Sequence, residues 1–347
     1  MSSTAPLRLR LDGGALAGNW RWLAKASGVA ACGAAVKADG YGVGGRAVVE
    51  RLAAAGCRDF FVATWDEAAA LGPLDPALSL SVFHGVRDED LASAAASGIR
   101  PVLNTPLQVM SWRRAGGGAC DVMVDTGMNR LGLSPAEVGS GLLDGLRIDT
   151  LMSHLACADE PGHPLNRTQR DRILAVAAAL PARRHSLANS AGICLGPDFA
   201  FDLTRPGLSL YGGRPVAAME GQIRQVVFPE AQILQIRTVE PGDSVGYNAT
   251  FAACRPMRVA ILNIGYADGY LRGFSGRGTA RHEGHRLPVL GRVSMDLIAV
   301  DLAGAPDLDE GDWIVVDYDL PEASRQSGLS QYELLTGLGD RYHRRWL

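Results

Sequence analysis

The feature that most constrains this chain is an alternation. Between Gly33 and Arg205, short apolar runs are separated by alanine- and leucine-rich stretches of helical length. The runs are GAAVK (33–37), DFFVA (59–63), LSLSVF (78–83), RPVLN (100–104), CDVMVD (120–125), IDTLMSH (148–154), HSLAN (185–189) and FDLTR (201–205). The intervening segments, such as GGRAVVERLAAAGC, VRDEDLASAAASG and TQRDRILAVAAAL, carry the apolar period of a helix. Strands joined through helices pair in parallel, and eight such units within roughly 200 residues predict a (β/α)8 TIM-type barrel.

After about Pro215 the pattern changes. AQILQIRTV, MRVAILNIG, LPVLGRV, DLIAVDL and DWIVVDY are β-type runs, separated by turns such as EPGDS, GFSGRG and DEGD. They predict a mainly antiparallel β domain. The fold class is thus α/β + β, with the barrel expected over residues 11–220 and the β domain over 221–347. An alternating N-terminal strand at 6–11, containing LRLRL, is expected to join the second domain. LSQYELLTGLGDRYHRRWL is expected to form a short helix and a closing segment.

Composition narrows the functional classes. With 47% hydrophobic and 20% charged residues the chain is globular, and a net charge of −3 gives no reason to expect nucleic acid. The opening stretch MSSTAPLRLRLDGG lacks an apolar leader, and no apolar run reaches membrane-spanning length. Six scattered cysteines, with no CxxC pair, are expected to be free thiols of a reducing compartment, hence the cytoplasm. His282 and His285 lack zinc-protease spacing and are expected to flank a turn; no metal site is expected.

In barrels of this kind the active site forms at the C-terminal strand ends. The polar residues there are Lys37, Asp125 with Arg130 beyond it, His154, Asn189 with Ser190, and Arg205. Lys37 stands out because only two of the 34 basic residues are lysines, Lys25 and Lys37. An arginine snorkels as well as a lysine, but it cannot lose its proton and attack a carbonyl. A lysine desolvated in an apolar strand can. Two glycine-containing turns, GYGVGG (40–45) and RPGLSLYGG (205–213), are candidate phosphate cradles. A lysine imine beside a phosphate site suggests pyridoxal phosphate.

The segments AVKADGYGVGG, VDTGMNRLG, SHLACADE, NSAG, RPGLSLYG, VGYNATF, LNIGYADGY and GRVSMD resemble, in order, those of the alanine racemase family. The resemblance spans nearly the whole chain and implies pyridoxal 5'-phosphate as cofactor. It implies that Lys37 carries the cofactor, that Tyr41 and Ser190 hold its phosphate with the backbone near Gly207 and Leu208, and that Asn189 belongs to the same site. His154 would pack along the pyridine ring, and Arg205 would face the ring nitrogen. An arginine has no proton-accepting capacity, so it disfavours ring protonation and favours a short-lived carbanion. The implied activity is interconversion of L- and D-alanine by two bases, Lys37 and Tyr247, the latter supplied by the partner in a head-to-tail homodimer. Arg130, Tyr266 and Met295 would bind substrate. D-alanine for peptidoglycan, or D-alanine breakdown, would be the biological use.

Some positions depart from the family pattern. Met123 stands where many members carry a carboxylated lysine that orients the arginine equivalent to Arg130, so an anion, a polar neighbour or water is expected to replace it. Asp39, Gly40 and Val43 replace the usual Asn, Ala and His. The tyrosine of the substrate entrance aligns with Asp340, with Tyr342 close by. The alternatives are a racemase of broader specificity, for example for serine, a decarboxylase of similar architecture, and a cofactor-binding protein without activity. Arg205 argues against the decarboxylase, and retention of the β domain with Tyr247 argues against the last.

Overall fold

The computed structural model describes residues 5–180 and 182–347; the opening stretch considered above lies outside it at residues 1–4. The chain forms two compact units. One holds Leu16–Leu210 and Arg214–Arg224, and the other holds the N-terminal segment ending at Ala15, Tyr211–Gly213 and Gln225–Leu347. Strand β1 (Leu7–Leu11) opens the chain in the latter.

The larger unit is a parallel barrel. Its strands are β2 (Ala31–Cys32), β3 (Ala34–Ala35), β4 (Asp59–Val62), β5 (Ser79–Val82), β6 (Arg100–Leu103), β7 (Cys120–Met123), β8 (Ile148–Met152), β9 (Arg184–Ser186) and β10 (Leu203–Thr204). β3 through β9 pair in chain order, each parallel to the next. β10 pairs in parallel with β2, and Asp202 N–H to His185 C=O (3.1 Å) and Arg205 N–H to Ala188 C=O (2.8 Å) link it to β9. The first barrel strand is therefore in two pieces, β2 and β3, interrupted at Gly33, and the run at 33–37 supplies only the second. A Cβ at Gly33 would lie 2.8 Å from the Asp59 carbonyl oxygen, so only glycine allows this approach. Inside the barrel Phe61, Val102, Met123, Met152 and Leu203 form a closed apolar cluster with Phe83 against it. Met123, 8% exposed, is thus a core residue.

The smaller unit is mainly antiparallel β, with β1 and the last strand of the chain paired in parallel. Its strands are β11 (Val227–Val239), β12 (Ser244–Val245), β13 (Phe251–Ala252), β14 (Met257–Leu262), β15 (Thr279–His282), β16 (His285–Leu290), β17 (Ile298–Asp301), β18 (Trp313–Val316) and β19 (His343–Trp346). The main sheet runs β14-β17-β16-β15-β18-β11-β1-β19, and β11 also pairs with β14 and closes a ring. β11 does both because it is long and bulges between Ile233 and Gln235. In β1 the three leucines are buried and the two arginines reach Glu230, Arg8 at 3.2 Å and Arg10 at 2.7 Å. His282 and His285 flank the two-residue turn Glu283–Gly284, whose positive φ values (47° and 85°) suit a hairpin. No helix among the described residues is long and apolar enough to cross a membrane, and none of their His, Cys, Asp and Glu groups could hold a metal.

Candidate active site

Parallel strands place all their C-terminal ends on one rim. Lys37, His154 and Arg205 follow β3, β8 and β10 within two residues, Ser190 opens the short helix Ser190–Ile193 after β9, and Arg130 lies in the loop after β7. The barrel thus brings together the strand-end residues expected from sequence.

Lys37 sits at the start of an unusual turn. Ala38, Asp39, Gly40 and Tyr41 all have φ between 51° and 64° and ψ between 39° and 50°, one turn of left-handed helix. The sequence suggested a glycine-rich loop here, yet three of the four residues are not glycine. Left-handed backbone costs about 1 kcal/mol or more for each such residue. The turn is held by Gly40 N–H to Val36 C=O (2.8 Å) and Gly44 N–H to Asp39 C=O (2.9 Å). The Asp39 carboxylate accepts from Gly45 N–H at 2.7 Å, where the helix Gly45–Ala55 begins. Ala38 N–H donates to Glu67 Oε1 at 2.8 Å. These contacts account for the departures in this segment. Asp39 caps the following helix. A Cβ at Gly40 would press on Gly45 and Val48 at 3.1 Å, and Val43 is fully buried.

Tyr41 is buried and lies against the turn after β10, where a Cβ on Gly207 would come within 2.3 Å of its Oη. Ser190 Oγ accepts from Gly207 N–H (3.0 Å) and Ser209 N–H (3.2 Å). Tyr41, Ser190 and Gly207 are therefore packed together on the rim, with the buried Leu208 next in the chain. The Asn189 side chain accepts from Gly192 N–H at 2.9 Å and caps the helix Ser190–Ile193 beside it.

Arg205 is 4% exposed and donates to Ser186 Oγ and to the Ser153 carbonyl, the latter at 2.6 Å. Burial brings its pKa down to about 10. His154 is pushed down to about 3 by burial and by the charges of Arg205, Arg130 and Lys37, so its imidazole is neutral at physiological pH. Burial and then Arg130 lower the Lys37 amine, and Glu67 alone among its named neighbours opposes them. The mouth is a cluster of cationic and neutralised basic groups. Lys37 and Arg130 have no carboxylate within ion-pair distance among the described residues.

This arrangement fits pyridoxal phosphate. The hydroxyls of Tyr41 and Ser190 meet at the Gly207 turn, where close packing demands glycine, and suit an anionic phosphate; the basic groups nearby suit the rest of an anionic ligand. Arg205 presents only donors, and its partners are a hydroxyl and a carbonyl.

In the β unit, Tyr247 is 64% exposed and Met295 53% exposed. Tyr247 occupies a tight turn in which Asn248 (φ 62°) and Ala249 (φ 47°) are left-handed. With Val245, Ile261, Arg292, Ser294 and Leu297 it lines an apolar cleft. Tyr266 N–H donates to Ser294 C=O and Ala267 N–H to Met295 C=O, both at 3.0 Å. Tyr247, Tyr266 and Met295 thus belong to one neighbourhood. Of the two candidate entrance residues, Asp340 is exposed and Tyr342 is buried.

Sequence reasoning passed over Glu67, Ser186 and Gln169. Gln169 accepts from Ala156 N–H (2.8 Å) and donates to His154 C=O (2.8 Å), fixing the loop after β8. The signal for Glu67 was the spacing Thr64-x-x-Glu67 ahead of the helix Trp65–Ala70, which marks a helix start. Thr64 does accept from Glu67 N–H at 3.2 Å, but the carboxylate reaches past the usual box to Ala38 and Ala63.

The barrel, its strand-end lysine in a basic mouth and the antiparallel β unit define a class: barrel enzymes that use pyridoxal phosphate. Known proteins narrow this further. The family model for the N-terminal domain of alanine racemase matches residues 11–215 and that for the C-terminal domain matches 226–346. The chain is 44% identical to an alanine racemase of Acidiphilium cryptum over 97% of each chain. It is 42% identical to a biosynthetic alanine racemase of Agrobacterium fabrum, over 99% of this chain and 94% of that one. A catabolic alanine racemase of the same organism is also 42% identical, over 98% and 92%. The crystal structure of alanine racemase from Bartonella henselae with covalently bound pyridoxal phosphate superposes with a TM-score of 0.91 at 36% identity, covering 99% of this chain and all of that one. The chain belongs to the alanine racemase family, a family of pyridoxal phosphate-dependent isomerases.

Proposed function

We propose that this alanine racemase family member interconverts L- and D-alanine with two bases, Lys37 and Tyr247 of the partner subunit, in a head-to-tail homodimer. The observation that carries the reading is Lys37 itself. It stands at a barrel strand end, one of two lysines in the chain, with its amine pushed toward the neutral form by burial and Arg130.

Bound pyridoxal phosphate supplies an electron-withdrawing system that acidifies the Cα–H of an amino acid joined to it. Tyr41, Ser190 and the backbone at Gly207 and Leu208 hold the phosphate end. The neutral His154 packs beside the ring without adding charge. Arg205, fixed by Ser186 and Ser153, faces the ring nitrogen and offers it no proton acceptor. Lys37 would take or give the proton at Cα on one face. A second base is needed on the other face, and the exposed position of Tyr247 supports its delivery to another subunit. Arg130 orients the substrate carboxylate, with Tyr266 and Met295 of the partner subunit bounding the entrance. Met123 lies in the barrel's apolar cluster, so Arg130 is oriented without a carboxylated lysine.

The two mirror-image products have equal free energy, so direction follows from supply and removal. The similar match to biosynthetic and catabolic relatives agrees with this. The free cysteines support a reducing, cytoplasmic compartment.

The test is incubation in deuterated water with L-alanine and D-alanine separately. Deuterium entering Cα from both enantiomers, with loss of optical activity, is expected. Lys37→Arg should reduce this by about a thousandfold or more, since positioned acid–base catalysis contributes factors of that size. Carbon dioxide release, or no exchange with either enantiomer, would overturn the reading.

A further inference from the structure

Glu67 is used by no step of the reaction above, yet it is bonded to the backbone that presents Lys37. Its two carboxylate oxygens serve two different N–H groups. Oε1 accepts from Ala38, the residue after the lysine, at 2.8 Å, and Oε2 accepts from Ala63, just beyond β4, at 2.7 Å. The carboxylate therefore bridges the ends of two adjacent strands. It does so at the first residue of a left-handed turn, where the backbone has the least intrinsic reason to stay in place.

We propose that Glu67 is a positioning residue for Lys37, clamping Ala38 to Ala63 so that the left-handed turn presents the lysine amine into the barrel mouth. The proposal rests on the reading of Lys37 as the cofactor lysine. Geometry and charge agree. A carboxylate has two acceptor oxygens, and here both are used. A glutamine has one acceptor and one donor, so one of the two N–H groups would be left facing an NH2 group. Among the described residues, Arg130 and His154 lie on the basic side of Lys37 and the Glu67 carboxylate acts on it from the acidic side. It thus offsets part of the repulsion that its neighbours impose on the protonated amine.

The test uses Glu67→Gln and Glu67→Asp in the full-length chain, with and without pyridoxal phosphate. Because the chain has two lysines, competitive amine labelling against pH assigns each signal, with the exposed Lys25 as internal reference. Without cofactor, Glu67→Gln should move the labelling midpoint of Lys37 to lower pH and leave that of Lys25 unchanged. Removing the carboxylate removes what favoured the protonated amine. Hydrogen exchange at Ala38 should quicken about tenfold with the loss of a charge-assisted bond. Glu67→Asp keeps the charge but is one methylene too short to span both groups. It should restore the Lys37 midpoint and leave Ala38 exchange fast.

A folded Glu67→Gln protein with the wild-type Lys37 profile and unchanged Ala38 exchange overturns the proposal. If that variant does not fold, Glu67→Asp decides, and unchanged Ala38 exchange there overturns it. The cofactor arm tests the underlying reading separately. Lys37 labelling that bound cofactor fails to suppress sinks the assignment of Lys37, whatever the Glu67 variants do.

Discussion

The two ends of the barrel are built on opposite electrostatic plans. At the N-terminal ends of the strands every buried charge has a counter-charge. Arg184 holds Asp59 with two hydrogen bonds (2.7 and 3.1 Å) and Asp149 with one at 2.9 Å. Arg183 adds a contact of 2.6 Å to Asp149. Arg100 lies 3.3 Å from Asp121, whose carboxylate also accepts from Ser81 Oγ (2.6 Å) and Thr150 N–H (3.0 Å). At the C-terminal ends, Lys37, Arg130 and Arg205 gather around His154, and among the described residues Glu67 is the acidic group acting on Lys37. The same scaffold closes one end with matched charges and leaves the other poised for an anion. A site that must bind a phosphate and a carboxylate cannot neutralise itself first.

The pKa directions follow this division. At the closed end burial pushes Asp59 and Asp149 up, but their arginines outweigh it, holding Asp59 below the usual carboxylate range and Asp149 at about 2. Asp121 is the exception: its complete burial outweighs Arg100, and its carboxyl is raised. At the open end, basic groups fall instead of acids.

The sharpest way to break the comparison is Arg184→Gln. It leaves Asp59 and Asp149 buried with fewer partners, and removing one member of a buried pair costs about 3–5 kcal/mol. Arg183 and Arg100 remain near Asp149, so the low end of that range is expected. Thermal unfolding should show the loss, while turnover per folded molecule stays near wild type. Loss of turnover without loss of stability would mean that the two ends are not separate devices.

Gly207→Ala acts at the open end and should do the reverse. Its Cβ would meet Tyr41 Oη at 2.3 Å, so the proposed phosphate site must spread. Cofactor affinity should fall about tenfold, equivalent to about 1.4 kcal/mol, with melting of the cofactor-free chain changed little. Unchanged affinity by equilibrium titration would remove Tyr41 and Gly207 from the phosphate pocket.

A further difference between the two ends shows in acid. His154 has a depressed folded pKa, so the unfolded chain binds its proton first. Its contribution to stability is lost as pH falls from about 6.5 toward about 3. Asp59 and Asp149 are also depressed, and theirs is lost only as pH falls below about 4, toward about 2 for Asp149. Melting of the cofactor-free chain against pH should decline in two stages, the open end first. Arg184→Gln should bring the second stage to higher pH and leave the first in place. A single stage below pH 4 would contradict the environment described for His154.

The barrel was legible because eight apolar runs recur between helical stretches, and parallel pairing then places their ends together. Lys37, His154 and Arg205 could be picked out as strand-end residues for the same reason. What could not be read was whatever depends on neighbours across strands. The matched network draws one or two residues from each of six strands, and no local pattern announces it. The left-handed turn uses Ala38, Asp39 and Tyr41, residue types that do not signal such backbone. Glu67 went unnoticed because its long-range bond goes to the left-handed turn after β3, about 30 residues earlier. Asn189, expected at the cofactor site, also caps the helix Ser190–Ile193, a role that Asn-Ser before a short helix fits.

The central claim is that the basic mouth holds its cofactor through Lys37. Borohydride reduction of the cofactor-loaded protein, followed by peptide mass mapping, tests it directly, because only two lysines can carry the adduct. The account predicts the pyridoxyl mass on the peptide containing Lys37, none on Lys25, and none anywhere in Lys37→Arg. An adduct on Lys25 alone, or a Lys37→Arg protein that still binds cofactor covalently, would contradict it.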